Sequence, residues 1–298
     1  MSPLETEQYG GSTVSIYEYD RMKSISLPCG ETVPVLGQGT WKIADDPAKR
    51  NEEIAALQYG IDLGATLIDT AEMYGEGAAE SLVGEAIIGR RDEVFLVSKV
   101  YPHNASSEAM RRSCEASLRR LRVETLDLYL LHWQGSVPMS ETIGAFESLQ
   151  RAGKIRHWGV SNFDIKAMEQ LWRTPGGQAC QTNQVLYHLA ERGIEWNLHP
   201  WLRARQMPLM AYSPFDEGRL LRAPTLQQFG REHGMTAAQV ALAWLIEREG
   251  IIAIPKTSRR AALKENLEAL LRPLSAAQLS ELDSLFPPPT RSTPLSMI

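Results

Sequence analysis

From Val35 onward the chain repeats one short theme. A run of apolar residues is followed by a break of glycine or polar side chains, then by a stretch with helical periodicity. "VLGQGTW" (Val35 to Trp41) leads into "DPAKRNEEIAALQYGIDLG", where Asp46 is placed to cap a helix, Pro47 occupies its first position and Gly64 stops it. The theme returns as "ATLIDT" with "AAESLVGEAIIG", "EVFLVSKV" with "SSEAMRRSCEASLRRLR", and "LDLYLLHW" with "SETIGAFESLQRAG". It continues as "IRHWGVSNF" with "DIKAMEQLWRT", "ACQTNQVLYH" with "WNLHPWLRARQ", "PLMAYSPF" with "TAAQVALAWLIEREG", and "IIAIPKTS" with "AALKENLEALL". The apolar runs are nearly continuous, as expected of parallel strands covered by helices on the outer face. Eight such units without a break in composition predict a (β/α)8 barrel, the TIM-barrel form of the α/β class. A doubly wound sheet is the alternative, but no G-x-G-x-x-G follows the first strand. "SISLPCGETVPVLG" reads as an N-terminal β-hairpin, and "SAAQLSELDSLF" as an extra C-terminal helix.

The rest of the composition narrows the function class. Of the 298 residues 43% are hydrophobic, enough for one large core, and residues 23–298 are read as a single domain. Residues 1–22 are acidic, lack the apolar stretch of a signal peptide, and are expected to be a mobile extension. The net charge of −5 and the absence of a basic run argue against nucleic acid as a partner. The one arginine-rich stretch, Arg111 to Arg122, has helical spacing and reads as a solvated face. Cys29, Cys114 and Cys180 are too few and too scattered for a disulfide framework and fit a reducing, cytoplasmic setting. No C-x-x-C or H-E-x-x-H gives local support for zinc, so no metal site is expected. No apolar window is long enough to span a membrane.

In a barrel of this kind chemistry sits at the C-terminal ends of the strands. Three consecutive strand exits supply Asp69 with Tyr74, then Lys99, then His132. Taken singly, the aspartate could be a helix cap, the lysine a solvated charge and the histidine a core residue. Together they bring an acid, a phenol, an amine and an imidazole to one mouth.

At this point the chain resembles the aldo-keto reductases. The matching segments are "GQGTW", "LIDTAEMYG", "VSKV", "LDLYLLHW", "GKIRHWGVSNF", "TNQVLYH", "AYSPF" and "IPKTSRRAALKENL", in family order over residues 24 to 286. The resemblance implies NADPH-dependent reduction of carbonyls and a catalytic tetrad of Asp69, Tyr74, Lys99 and His132. The chemistry is consistent with these residue types. A phenol with an ordinary pKa of about 10 can donate a proton at neutral pH, and a neighbouring ammonium is expected to lower that pKa. Asp69 would hold Lys99, and His132 would orient the substrate oxygen.

The resemblance also implies a cofactor site for NADP(H). It begins at Gly39, Thr40 and Trp41, includes Asp69, and takes Ser161, Asn162 and Gln184 for the carboxamide. Tyr212 is the aromatic under the nicotinamide, followed by Ser213, Pro214 and Phe215. Ile254, Pro255, Lys256, Thr257 and Ser258 would grip the 2′-phosphate at a helix start. Arg259 and Arg260 stand near Ala262, where relatives often carry an arginine, and Glu265 with Asn266 would face the adenine. Ser and Asn in "GVSNF" also suit an ordinary turn, and Phe163 in place of the second glycine excludes a nucleophile elbow.

For the substrate pocket the expected walls are Trp41, Met73, Tyr101, His132 and Trp133. Glu72 is expected to face solvent or to cap the next turn. Gln134 stands where many relatives have proline. The stretches "HWQGSVP" and "TNQVLYHLAERGIEWNLHPW" resemble a bacterial subgroup acting on small aldehydes, methylglyoxal among them. The tail beyond Phe286 is short and proline-rich, which predicts an open pocket. Two rival readings are a non-catalytic cofactor-binding regulator and a Schiff-base aldolase using Lys99; the second needs a neutral amine, which Asp69 opposes.

Overall fold

The protein is described by a computed structural model covering residues 23–298; the extension read from residues 1–22 lies outside the described residues. A hairpin comes first, β1 (Ser24–Ser26) and β2 (Thr32–Pro34), paired antiparallel. Eight parallel strands follow in sequence order around one sheet. They are β3 (Gln38–Gly39), β4 (Leu67–Asp69), β5 (Phe95–Val100) and β6 (Leu126–Leu131), then β7 (Ile155–Ser161), β8 (Asn183–Leu186), β9 (Leu209–Tyr212) and β10 (Ile251–Ile254).

The sheet closes between its first and last strands. Gly37 N–H donates to Ala253 O at 2.9 Å, Ala253 N–H to Val35 O at 2.8 Å, and Gly39 N–H to Pro255 O at 2.9 Å. Two glycines let the first strand pack close to its neighbours on either side, β4 and β10. A Cβ on Gly37 would lie 2.8 Å from the Leu67 carbonyl, and one on Gly39 2.8 Å from the Ile254 carbonyl, both backbone atoms with no room to give. The "GQG" of the first strand is therefore a statement about how tightly the barrel shuts.

Helices wrap the outside: α1 (Arg50–Asp62), α2 (Ala78–Ala86), α3 (Ser107–Leu121), α4 (Met139–Arg151) and α5 (Ile165–Arg173). After them come α6 (Leu198–Arg203), α7 (Pro224–Glu232), α8 (Ala237–Ile246), α9 (Arg260–Glu268) and α10 (Ala276–Leu285). In α3, Met110, Cys114, Leu118 and Leu121 face the core. Arg111 and Arg112 stand in solvent, paired with Glu108 and Glu115, so the arginine-rich stretch is an outer face. α8 is buried all round, and its start is fixed by a reciprocal capping pair, Thr236 with Gln239. The same device, Ser275 with Gln278, starts α10. Inside the barrel, Leu67, Val97, Leu128, Leu130, Met210 and Ile252 form one apolar cluster, and the hairpin adds Leu27 and Val33 to it as a floor.

Candidate active site

Period-two alternation carries the apolar interior of the barrel upward into polar chemistry. Along β4 the inward row is Leu67 then Asp69; along β5 it is Phe95, Val97 and Lys99; along β6 it is Leu128, Leu130 and His132. Met210 leads in the same way to Tyr212 on β9. Each polar side chain is the top rung of a ladder whose lower rungs are core. Tyr74 arrives differently. It sits at the start of a short helical turn, Tyr74–Gly77, in which Gly75, Glu76 and Gly77 all take positive φ (56°, 53° and 91°). That left-handed run turns the chain back over the mouth, and Tyr74 is itself buried against Ala71 and Ala79.

The four side chains meet. Lys99 is fully buried, and its Nζ donates to Asp69 Oδ2 at 2.7 Å, to the Thr70 carbonyl at 2.9 Å and to the Tyr74 hydroxyl at 3.0 Å. An ammonium has three protons, so this set is complete. Because the Tyr74 oxygen accepts from Lys99, its own O–H is left to point elsewhere, and Tyr74 lines the cavity at the barrel mouth. The His132 and Tyr74 rings lie edge-on with centroids 5.9 Å apart, and Trp41 closes on Tyr74 at 5.0 Å.

Burial raises the Tyr74 pKa above its ordinary value; Lys99 pulls the other way, and Asp69 reinforces burial. This corrects the expectation that the ammonium lowers the phenol's pKa: desolvation of a phenolate at this depth outweighs it. For Lys99 burial opposes the charge, but Asp69 and then Tyr74 overcome it and the pKa is raised. A lysine held charged with every proton engaged is no Schiff-base nucleophile. Burial, with help from Lys99, drives His132 down to about 2, so the ring is neutral. Its Nδ1 is buried without a partner among the described residues. An orphaned donor is rarer than an orphaned acceptor, which favours a proton on Nε2.

A cavity of about 370 Å³ opens above these groups. Of the expected cofactor residues it gathers Gly39, Thr40, Trp41, Asp69, Ser161, Asn162, Gln184, Tyr212, Ser213, Pro214, Phe215, Ile254 and Lys256. Pro255, Thr257, Ser258, Arg259, Arg260, Glu265 and Asn266 are not on its wall; they follow it along the β10 exit and α9, with Arg260 over the Tyr59 ring at 5.6 Å. Around the strand tops the amides are already occupied. Gln184 Nε2 donates to Asp69 Oδ1 at 2.8 Å; Asn162 Nδ2 donates to His132 O at 3.1 Å while its Oδ1 accepts from Tyr212 O–H at 2.9 Å; Ser161 O–H donates to Gln184 O at 2.9 Å.

Among the expected substrate residues, Trp41, Met73 and His132 line the cavity, whereas Tyr101 and Trp133 do not. Their rings meet edge-on at 5.9 Å, Tyr101 stacks on His103, and Trp133 packs against His132 at 4.9 Å. Glu72 does not simply face solvent. It accepts from Tyr101 N–H at 2.8 Å, from Asn104 Nδ2 at 3.3 Å and from the Ser113 hydroxyl, which ties the Tyr74 loop to the exit of β5.

Two features of the rim carry no signal in the sequence. Lys42 and Glu217, from the loops after β3 and β9, join across the cavity at 2.9 Å. The tail also reaches the site: Ser296 O–H donates to Glu191 at 3.0 Å, and Ile298 lines the cavity beside Tyr212. The pocket is thus less open than the short tail suggested. Several rim residues, Lys42, Asn162, Ser213 and Glu217, hold positive φ without being glycine.

Comparison with known proteins agrees with this geometry. Residues 35–286 match the aldo/keto reductase family. The methylglyoxal reductase YeaE of Escherichia coli (strain K12) is 50% identical over 283 residues, spanning 93% of this chain and 100% of that protein. The glyoxal reductase of Bacillus subtilis (strain 168) is 32% identical, covering 88% of this chain and 92% of its own. An aldo/keto reductase from Klebsiella pneumoniae, solved in complex with NADP and acetate, superposes with a TM-score of 0.90 at 49% identity, over 93% of this chain and 99% of the other. By family match, by sequence identity over nearly its whole length and by fold, this chain belongs to the aldo/keto reductases.

Proposed function

We propose that the chain reduces small aldehydes and dicarbonyls, methylglyoxal and glyoxal among them, to alcohols with NADPH. The observation that carries this is the Asp69–Lys99–Tyr74 chain, a protonated phenol whose oxygen is held by a buried ammonium and whose own proton is free at a cavity. The donor set suits the cofactor. Ser161, Asn162 and Gln184 offer amide and hydroxyl groups, Tyr212 an aromatic face, and Lys256 a cation at the far side of the same wall. Thr257, Ser258, Arg259 and Arg260 extend the cationic end toward a 2′-phosphate, and Glu265 with Asn266 lie one helical turn further along α9. When bound, NADPH supplies the hydride. The existing bonds of Asn162 and Gln184 to Tyr212 and Asp69 would be traded in part for bonds to the carboxamide.

Tyr74 gives its proton to the carbonyl oxygen as charge develops there, and Lys99 steadies the phenolate left behind. His132, neutral and carrying its proton on Nε2, fixes the carbonyl oxygen by a hydrogen bond. Asp69 keeps Lys99 charged and aimed. Trp41, Met73, Phe215, Leu221 and Ile298 give the cavity an apolar wall against which the carbon side of a small carbonyl can rest. Tyr101 and Trp133 act behind that wall, Trp133 by backing the His132 ring. No helix among the described residues is long and apolar enough to cross a membrane, and all three thiols are free, which supports work in a reducing cytoplasm.

The test is NADPH consumption followed by absorbance against a panel of methylglyoxal, glyoxal, simple aldehydes and ketones. Turnover should be greatest with the small aldehydes and dicarbonyls. Tyr74→Phe should lower kcat by about 10²–10⁴-fold while NADPH binding persists. A variant that still turned over normally would remove Tyr74 from the role of proton donor.

A further inference from the structure

The face opposite the active site carries a second group of chemically able side chains that the reduction does not use. Cys29 stands in the turn of the floor hairpin, Glu31 just before β2, and His157 on β7. Their donor atoms all lie within 4.8 Å of one another. Cys29 Sγ is 3.7 Å from His157 Nε2, and that same nitrogen is 2.7 Å from Glu31 Oε2. This is not the geometry of a nucleophile and its base. A Cys–His–acid relay uses opposite nitrogens of the ring, one for the thiol and one for the carboxylate. Here thiol and carboxylate both approach one nitrogen, the carboxylate already hydrogen-bonded to it, so all three donors are gathered within the span of one ion.

We propose that Cys29, Glu31 and His157 bind a zinc ion that staples the floor hairpin to β7, with water taking its fourth position. Zn–S near 2.3 Å and Zn–N near 2.0–2.1 Å at a tetrahedral angle set the S···N edge at about 3.6 Å, and the observed edge is 3.7 Å. The N···O edge must open from 2.7 Å to about 3.3 Å, a small retreat for a glutamate side chain in a turn. A thiolate with imidazole and carboxylate selects zinc over magnesium or calcium. The surrounding charge is balanced. Arg156 pairs with the other oxygen of Glu31 at 2.8 Å, but it also pairs with buried Asp127 at 2.8 Å, which in turn holds Arg91 at 2.7 Å. Arg156 therefore orients Glu31 through Oε1 and leaves Oε2 for the ion. The Cys29 N–H is already fixed by Gln181 Oε1 at 2.9 Å, so the hairpin turn is set before any ion arrives. The absence of a local zinc motif is explained by distance along the chain, since Cys29 and His157 are 128 residues apart.

The experiment uses untagged full-length protein dialysed against chelator, then titrated with zinc and, as a spectroscopic probe, with cobalt(II). Wild type should take up one equivalent, show a thiolate-to-cobalt charge-transfer band, release protons on binding and gain Tm as zinc rises. Cys29→Ser and His157→Gln should lose the band and the zinc-dependent Tm gain while keeping wild-type reductase turnover, which also certifies that they fold. Binding that survives in Cys29→Ser, a cobalt spectrum without a thiolate band, or uptake with no change in Tm would each overturn the proposal.

Discussion

Tyr74 meets two opposing demands: it must hold a proton at neutral pH and release it when a carbonyl oxygen turns into an alkoxide. Burial secures the first by raising its pKa above the ordinary value, and Lys99 provides for the second by opposing that rise. Reduction requires the protonated phenol, so kcat/KM should stay level through the neutral range and fall only above about pH 10. His132 contributes no limb near neutrality, because its pKa lies at about 2. Lys99→Met removes the pull that lowers the phenol's pKa, so the alkaline limb should move upward while the level rate drops. A pH–rate profile of wild type and variant checks this, and a limb that moved down would assign the titration to another group. The polar members of the site were readable because they end apolar strands, where an acid, an amine or an imidazole has no structural reason to stand in a row. The direction of the Tyr74 shift was not readable, since depth of burial is a property of the turn at Gly75–Gly77 and not of the residue type. Glu72 was misjudged for a related reason: its partners Asn104 and Ser113 arrive from a different loop and helix.

At the scale of elements, the loops after β3 and β9 meet above the cavity through Lys42 and Glu217. Lys42, Asp216 and Glu217 all hold positive φ, so both loops are held in conformations their residues do not favour. A nucleotide lying along the wall from Tyr212 to Lys256 would leave past this pair. The pair is partly solvated, with side-chain exposures of 54% and 35%, which limits its strength to about 0.2–1 kcal/mol. Glu217→Gln should therefore speed NADPH release by no more than about 5-fold at low salt, and added salt should erase the difference. Stopped-flow fluorescence of NADPH dissociation measures both; an unchanged off-rate would show that the bridge does not gate the cofactor. The same scale shows how far the fold was legible. The alternation of apolar runs and helical stretches identified every strand and its order, because a covered parallel strand is apolar on both faces. The length of β3 was not legible. A seven-residue run contracts to Gln38–Gly39: its N-terminal flank, Val35 to Gly37, bonds to Ala253 of β10 at the seam, and beyond Gly39 only Thr40 still reaches β4, at the Asp69 carbonyl. Nor was the tail, whose course over the β8 exit rests on single contacts such as Ser296 with Glu191.

The whole molecule is exposed to acid through histidines that folding holds neutral. His132 lies at the top of the barrel, His188 after β8 and His199 in α6, all buried, and burial lowers the pKa of each. At His188 the depression is opposed by Asp216, and its Nδ1 accepts from Ala190 N–H at 3.2 Å, a bond that protonation of that nitrogen would break. At His199 the depression is opposed by a bond from the ring to the Glu249 carbonyl at 2.9 Å. In the unfolded chain these side chains take up protons near pH 6.5, while in the folded protein they do so only further down, so the unfolded state binds more protons across the interval. Stability is therefore complete above about pH 6.5 and declines as pH falls, each histidine adding a slope of up to about 1.4 kcal/mol per pH unit until its folded pKa is reached. For His132 that interval extends down to about 2. Urea unfolding between pH 7 and pH 5, above the range where carboxylates titrate, should show midpoints that fall with acidity. His199→Gln, which can still donate to the Glu249 carbonyl, should fold and show a shallower decline. If the variant and wild type lost stability in parallel, the acid response would have to come from groups other than the buried imidazole of α6.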